Sequence, residues 1–178
     1  MKERKIMPFD KNFVPALRFA VMSDIHIDDE DCIEEQRFAK ALDDLKNLCS
    51  SDERYSGFDA LVIVGDFASR GSEIQMRKVK KILDAGLPAD VRLIMTMASH
   101  EYMTDGEENA LCRFDEIFGL TPDTHAMING FDFIAVTTTR GCHFDDKKRG
   151  FVSAELEKAA ERDSKKPIFF FQHPHITD

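Results

Sequence analysis

Apolar residues along this chain follow two alternating rhythms. Dense runs rich in Val, Ile, Leu, Met and Phe cover 17–22, 61–64, 91–97 and 167–171. Runs of this length read as strands, the Phe-rich last one as a buried strand. Between them, apolar positions recur every three or four residues, the spacing of one helical face. Phe38, Leu42, Leu45 and Cys49 form one such stripe, preceded by Asp31 and Glu34 at the spacing of a capping box. Met76, Val79 and Leu83 form the next, with Ser72 and Gln75 as its capping pair and Gly86 and Pro88 as its end. Ala110, Phe114, Ile117 and Phe118 predict a third helix closed by Gly119. Residues 131–136 alternate as a half-buried strand, and Asn129-Gly130 before them is a hairpin-turn signal. Ser153 is the expected cap of a last helix carrying Leu156 and Ala160. Strands alternating with helices predict an α/β fold.

Composition narrows this picture. The chain has 178 residues, 43% of them hydrophobic, enough for one domain over 1–178 with a real core. No apolar stretch approaches the roughly 20 residues of a membrane-spanning helix. Met1-Lys2-Glu3-Arg4-Lys5 is basic but precedes no apolar segment, so no secretory signal is expected. A formal net charge of −9 opposes non-specific nucleic-acid binding. It is compatible with a small phosphorylated substrate if a metal ion supplies local positive charge. Cys32, Cys49, Cys112 and Cys142 form no CxxC pair, and we read them as reduced thiols of a cytoplasmic protein with no membrane partner.

The polar residues that follow the strand runs carry the chemistry. The first run leads to Asp24-Ile25-His26, the second to Gly65-Asp66, the third to Ser99-His100-Glu101 and the last to His173-Pro174-His175. Singly, each is weak: Gly-Asp is a common turn, and Ser-His-Glu is a common capped loop. Together, in order, they predict a polynuclear metal centre at one sheet edge, where open α/β folds build their sites. Residues i and i+2 of a strand share a face, so Asp24 and His26 can grip one ion. The two carboxylate oxygens of Asp66 can bridge two ions. Mixed His and Asp ligands suit Mn, Fe or Zn better than Mg or Ca. His100, with Glu101 bonded to one ring nitrogen, can donate a proton to a leaving group. Arg70, just past Asp66, can reach a phosphate, with a surface salt bridge as the simpler alternative. The acidic run 28–31 reads as a solvated helix entry, and Lys147, Lys148 and Arg149 as a solvated basic turn. His125 and His143 do not follow strand runs and read as surface or structural residues; Cys142 and His143 beside Asp145 and Asp146 read as a solvated loop.

At these positions the chain resembles the calcineurin-like metallophosphoesterases from about Leu17 onward. That family's motifs run Asp-x-His, Gly-Asp, Gly-Asn-His-Asp/Glu, a lone His, and Gly-His-x-His. The resemblance implies a four-layer αββα sandwich with a dinuclear centre of divalent or trivalent ions. It implies that Asp24 and His26 hold the first metal, that Asp66 bridges, that His173 holds the second, and that His100 is catalytic and oriented by Glu101. It also implies hydrolysis of phosphomonoesters or phosphodiesters by attack of metal-bound hydroxide.

Two positions depart from that pattern. Ala98-Ser99 stands where the family has Gly-Asn, and a serine hydroxyl is a poorer ligand than the asparagine amide oxygen, so the second site is expected to be weakened. No Gly-His-x-His follows, although His175 with His173 can stand in for the missing pair. The sequence printed here stops at Asp178 soon after a strand run, so the expected sandwich lacks its final strands. An exposed sheet edge and self-association are expected in consequence. The alternative to an active hydrolase is a truncated, inactive or weakly active relative that serves as a binding module.

Overall fold

The computed structural model describes residues 13–53, 56–138, 144–163 and 165–174. Two three-stranded sheets lie back to back. The first takes β1 (Phe19–Met22), β2 (Ala60–Val64) and β3 (Arg92–Thr96), all parallel, with β2 central. The second takes β4 (Thr124–Ile128), β5 (Phe131–Ala135) and β6 (Ile168–Phe171), with β5 central, antiparallel to β4 and parallel to β6. Helices α1 (Ile33–Ser50), α2 (Glu73–Gly86) and α3 (Glu107–Phe118) belong to the first half, and α4 (Asp146–Arg162) precedes β6.

Alternation along β2 divides the core. Leu61 and Ile63 join Phe38 and Leu42 of α1, Met76 and Val79 of α2, and Phe114 of α3. Ala60, Val62 and Val64 face the other way, with Ile94, onto Ala126, Ile128, Phe133 and Ala135 of the second sheet. Every residue of β2 is therefore buried, as expected of a parallel strand covered on both faces. Phe19, Phe133, Phe169 and Phe171 close the space between the sheets with ring centroids 4.9–6.0 Å apart, several of them edge to face. The layers are helices, sheet, sheet and helix, the αββα arrangement that the resemblance implied.

Local signals held unevenly. The Ser72–Gln75 capping box is formed, and Gly119 closes α3 at φ +62°. The hairpin signal at Asn129-Gly130 joins β4 to β5. Asp31 and Glu34 form no box: Cys32 occupies the N-cap of α1 without a side-chain cap bond. Instead Lys78 of α2 ties this acidic entry down, donating to the carbonyls of Asp28 (3.1 Å) and Glu30 (2.7 Å) and to Glu35 Oε1 (2.7 Å). The last helix starts at Asp146, capped by Asp145, and Ser153 lies inside it. Gly150 and the Lys-Lys-Arg run obscured that start. The basic run forms the helix's first turn, where Lys148 pairs with Asp123 at 2.9 Å.

α4 is held to the second sheet by charge as well as by Ala159. His125 of β4 places Nδ1 2.5 Å from Glu155 and Nε2 2.7 Å from Asp132, and Arg162 also pairs with Asp132. Burial raises the Asp132 carboxyl, but bonds from His125 and Arg162 outweigh it and leave the group below its usual value of 3.8. Glu155 is also held below its usual 4.5, first by Lys158 and then by His125 against burial. A carboxyl depressed in the folded state contributes stability above its unfolded value and loses it as pH falls through the folded one. Stability is therefore expected to be retained above pH 4.5 and to fall below pH 3.8. Asp132→Asn should lower stability at neutral pH by about 1–2 kcal/mol, because it removes the charge to which His125 and the partly exposed Arg162 bond. It should also flatten the acid limb in urea melts across pH. An unchanged limb would show that the network does not hold α4.

Candidate metal centre

The loops after β1 and β2 run side by side beyond their strands. His26 N donates to Asp66 O at 3.1 Å, Ile27 N to Phe67 O at 3.1 Å, and Ser69 N back to Ile27 O at 2.9 Å. Fully buried Ile27 pins this pair of loops to the core. Within them Asp24 (φ 54°), His26 (φ 53°) and Asp66 (φ 50°) all adopt the left-handed conformation. Asp and His tolerate that region better than most residues, yet each costs on the order of 1 kcal/mol that the surrounding bonds must offset. Strand alternation is therefore not what brings Asp24 to within 3.9 Å of His26. β1 ends at Met22, and two left-handed turns, not a pleat, direct these side chains. The bend also needs Gly65 at φ 68°, since a Cβ there would lie 2.6 Å from the Ala98 Cβ and 3.0 Å from the His173 Cβ. Ala98 itself is extended at φ −137°, so its methyl group is accommodated where the family has glycine.

Two clusters of donors result. Asp24, Asp66 and His173 form one, and His26, Asp66 and His100 the other, with the ligand atoms of each within 4.8 Å of one another. Asp66 belongs to both. Its Oδ2 lies 3.1 Å from His173 Nε2, and its Oδ1 accepts from His100 N at 3.2 Å. Asp24 Oδ1 is 3.9 Å from both His26 and His173. Asp24 therefore lies equally near His26 and His173, and His26 also groups with Asp66 and His100. Among the described residues no Lys or Arg pairs with Asp24 or with buried Asp66. A buried carboxylate with no Lys or Arg partner, facing imidazole nitrogens, is the donor set that a cation fits.

The histidines are aimed by backbone carbonyls. His173 Nδ1 lies 2.7 Å from Val64 O, and His100 Nδ1 lies 2.7 Å from Ser69 O. A ring that donates from Nδ1 presents Nε2 to the site. The His26 and His100 rings stand edge to face at 4.6 Å.

Glu101 does not orient His100. Its carboxylate, fully buried, accepts from Asp66 N (2.9 Å) and Ala98 N (2.8 Å) on Oε2, and from Ala68 N (3.0 Å) on Oε1. The short 3-10 turn Ser99–Tyr102 swings the carboxylate back under the strand ends, leaving His100 to Ser69. Burial pushes Glu101 up to about 7, against three amide bonds that favour the charged form. Gly71, at φ +71°, passes directly against the Glu101 backbone, where any Cβ would collide.

Ser99 is exposed on that turn, and Arg70 is exposed just past Ser69, its guanidinium making no ion pair among the described residues. His175, Cys142 and His143 lie outside the described residues. Sequence reasoning missed Ser69, whose hydroxyl also bonds His26 O at 2.9 Å, and Gly71. The Ser-Arg-Gly that follows Gly65-Asp66 by two residues was the available signal.

No helix among the described residues is long and apolar enough to cross a membrane. No curated protein matches the chain in sequence. The family model for calcineurin-like phosphoesterases matches residues 17–176, a span that holds every side chain of both clusters. Members of that family generally use divalent metals, and the chain belongs to the calcineurin-like phosphoesterases.

Proposed function

We propose that this chain hydrolyses phosphoesters at a two-metal centre built on Asp66. The observation that carries the reading is one buried carboxylate shared by two three-residue ligand clusters at adjacent strand ends. Asp24, Asp66 and His173 would hold one ion, and His26 with Asp66 the other; Mn, Fe and Zn suit these donors. Such a pair of ions, when bound, lowers the pKa of water and neutralises phosphoryl oxygens. His100 protonates the leaving oxygen through Nε2, its Nδ1 being held by Ser69 O. Water adds to phosphorus, the bond from phosphorus to the alcohol breaks, and the proton His100 gives up is replaced from the attacking water. Arg70 is free to contact a phosphate oxygen. Cys32, Cys49 and Cys112 are unpaired, which suits a reducing, cytoplasmic setting.

The test is Mn²⁺-dependent hydrolysis of an aryl phosphate monoester and diester. His100→Ala is expected to lower turnover by about 10²- to 10⁴-fold while metal content stays unchanged, as for a lost general acid. Metal lost in parallel with activity would make His100 a ligand instead, and full activity would overturn the role altogether.

Ser99 favours a second reading, a weakened centre in a chain that serves as a binding module. A chelator-washed sample that retains two metals per chain would rule that out. On either reading, the edge where Val21 and Phe170 are 51% and 36% exposed is the surface for self-association.

A further inference from the structure

A cleft of about 660 Å³ opens directly from the metal centre. Asp24 and His26 form its inner end, and it runs outward along α1 past Phe38 and Ala41. This volume is the size of a site for an organic molecule, several times what a phosphate group needs. His26 walls it, and the His26 ring stands against His100, the residue assigned to the leaving oxygen. An alcohol protonated at His100 therefore has this cleft beside it.

Charge limits what the cleft accepts. Asp24, Asp28 and Glu34 line it, and Arg37, the one Lys or Arg among its described lining residues, sits 3.5 Å from Glu34. Metal ions would offset Asp24 near the phosphorus, but the outer part stays acidic. A second anionic group on the substrate would meet carboxylates there. The floor is apolar at Phe38 and Ala41, so burial of carbon is what the cleft offers an occupant.

We infer that the cleft along α1 binds the alcohol portion of the substrate, which makes the preferred substrates phosphoesters of bulky, uncharged, largely apolar alcohols, not nucleotides or other polyanions. This inference rests on the phosphoesterase reading above, and the experiment separates the two. The probes are 1-naphthylmethylphosphonate, methylphosphonate and inorganic phosphate, titrated by calorimetry into the full chain with Mn²⁺. The naphthyl probe is expected to bind about tenfold or more tightly than methylphosphonate. Ala41→Phe, which fills the cleft without touching a metal-cluster residue, is expected to remove that advantage and leave phosphate binding unchanged. In turnover, the same variant should lower kcat/KM for 1-naphthyl phosphate about tenfold and spare acetyl phosphate, which is small. Equal affinity of the wild type for both phosphonates overturns the inference, and this comparison needs no variant to fold. A naphthyl advantage that survives Ala41→Phe also overturns it. Cleft-dependent binding without hydrolysis of any ester would sink the phosphoesterase reading and leave the binding inference standing.

Discussion

Asp66→Asn is expected to empty both metal positions at once and to lower phosphoester hydrolysis by more than about a thousandfold. Asp66 is the only residue common to the two clusters, and its two oxygens are already divided between His173 and the His100 amide. Asparagine keeps one oxygen, loses the charge and cannot serve two cations. The fold should survive, because asparagine tolerates the left-handed backbone at this position about as well as aspartate. His173→Ala removes a ligand from one cluster alone, so it should leave one metal where Asp66→Asn leaves none. Elemental analysis of dialysed protein, with circular dichroism as the folding control, reads both. A wild-type metal content in Asp66→Asn would refute the bridging role.

Glu101→Gln is expected to cost about 2–5 kcal/mol of stability, a large effect for the loss of one charge. The Glu101 carboxylate accepts three backbone amides with two oxygens. Glutamine offers one oxygen, and its NH₂ must then face at least one buried N–H. One or two amides are left unsatisfied, at about 1–3 kcal/mol each. Those amides belong to Asp66, Ala68 and Ala98, so the damage falls on the loops after β2 and β3. Metal affinity should drop together with stability, although Glu101 is in neither cluster. Urea denaturation with and without Mn²⁺ separates the effects. A variant that keeps wild-type stability but loses activity would return Glu101 to a direct catalytic role.

The elements whose signal is local were legible. β2 and β6 are apolar runs, the Ser72–Gln75 box is a contact three residues apart, and the Asn129-Gly130 turn needs no distant partner. β4 was visible only as the implied partner of that hairpin, since His125 and Met127 break its apolar rhythm. The start of α4 was hidden because Gly150 and a basic run argue against a helix that long-range contacts to His125 and Asp123 hold in place.

The sequence by itself determined which residue types stand beyond the strand ends, and in which order. A buried parallel strand must be a run of apolar residues, so its end, and the polar residues after it, can be read directly. Only the tertiary structure decided how those residues combine. Asp24 meets His173 across 149 positions of chain as closely as it meets His26, and His26 meets His100, because left-handed turns at Asp24 and His26 direct these side chains in place of strand alternation. Glu101 serves two amides of the loop after β2 and one of its own segment, and Ser69 takes the place beside His100 that Glu101 was expected to fill. These choices depend on backbone dihedrals and on amides brought together by packing. A one-dimensional pattern holds neither, because the competing partners are adjacent only after the sheets have formed.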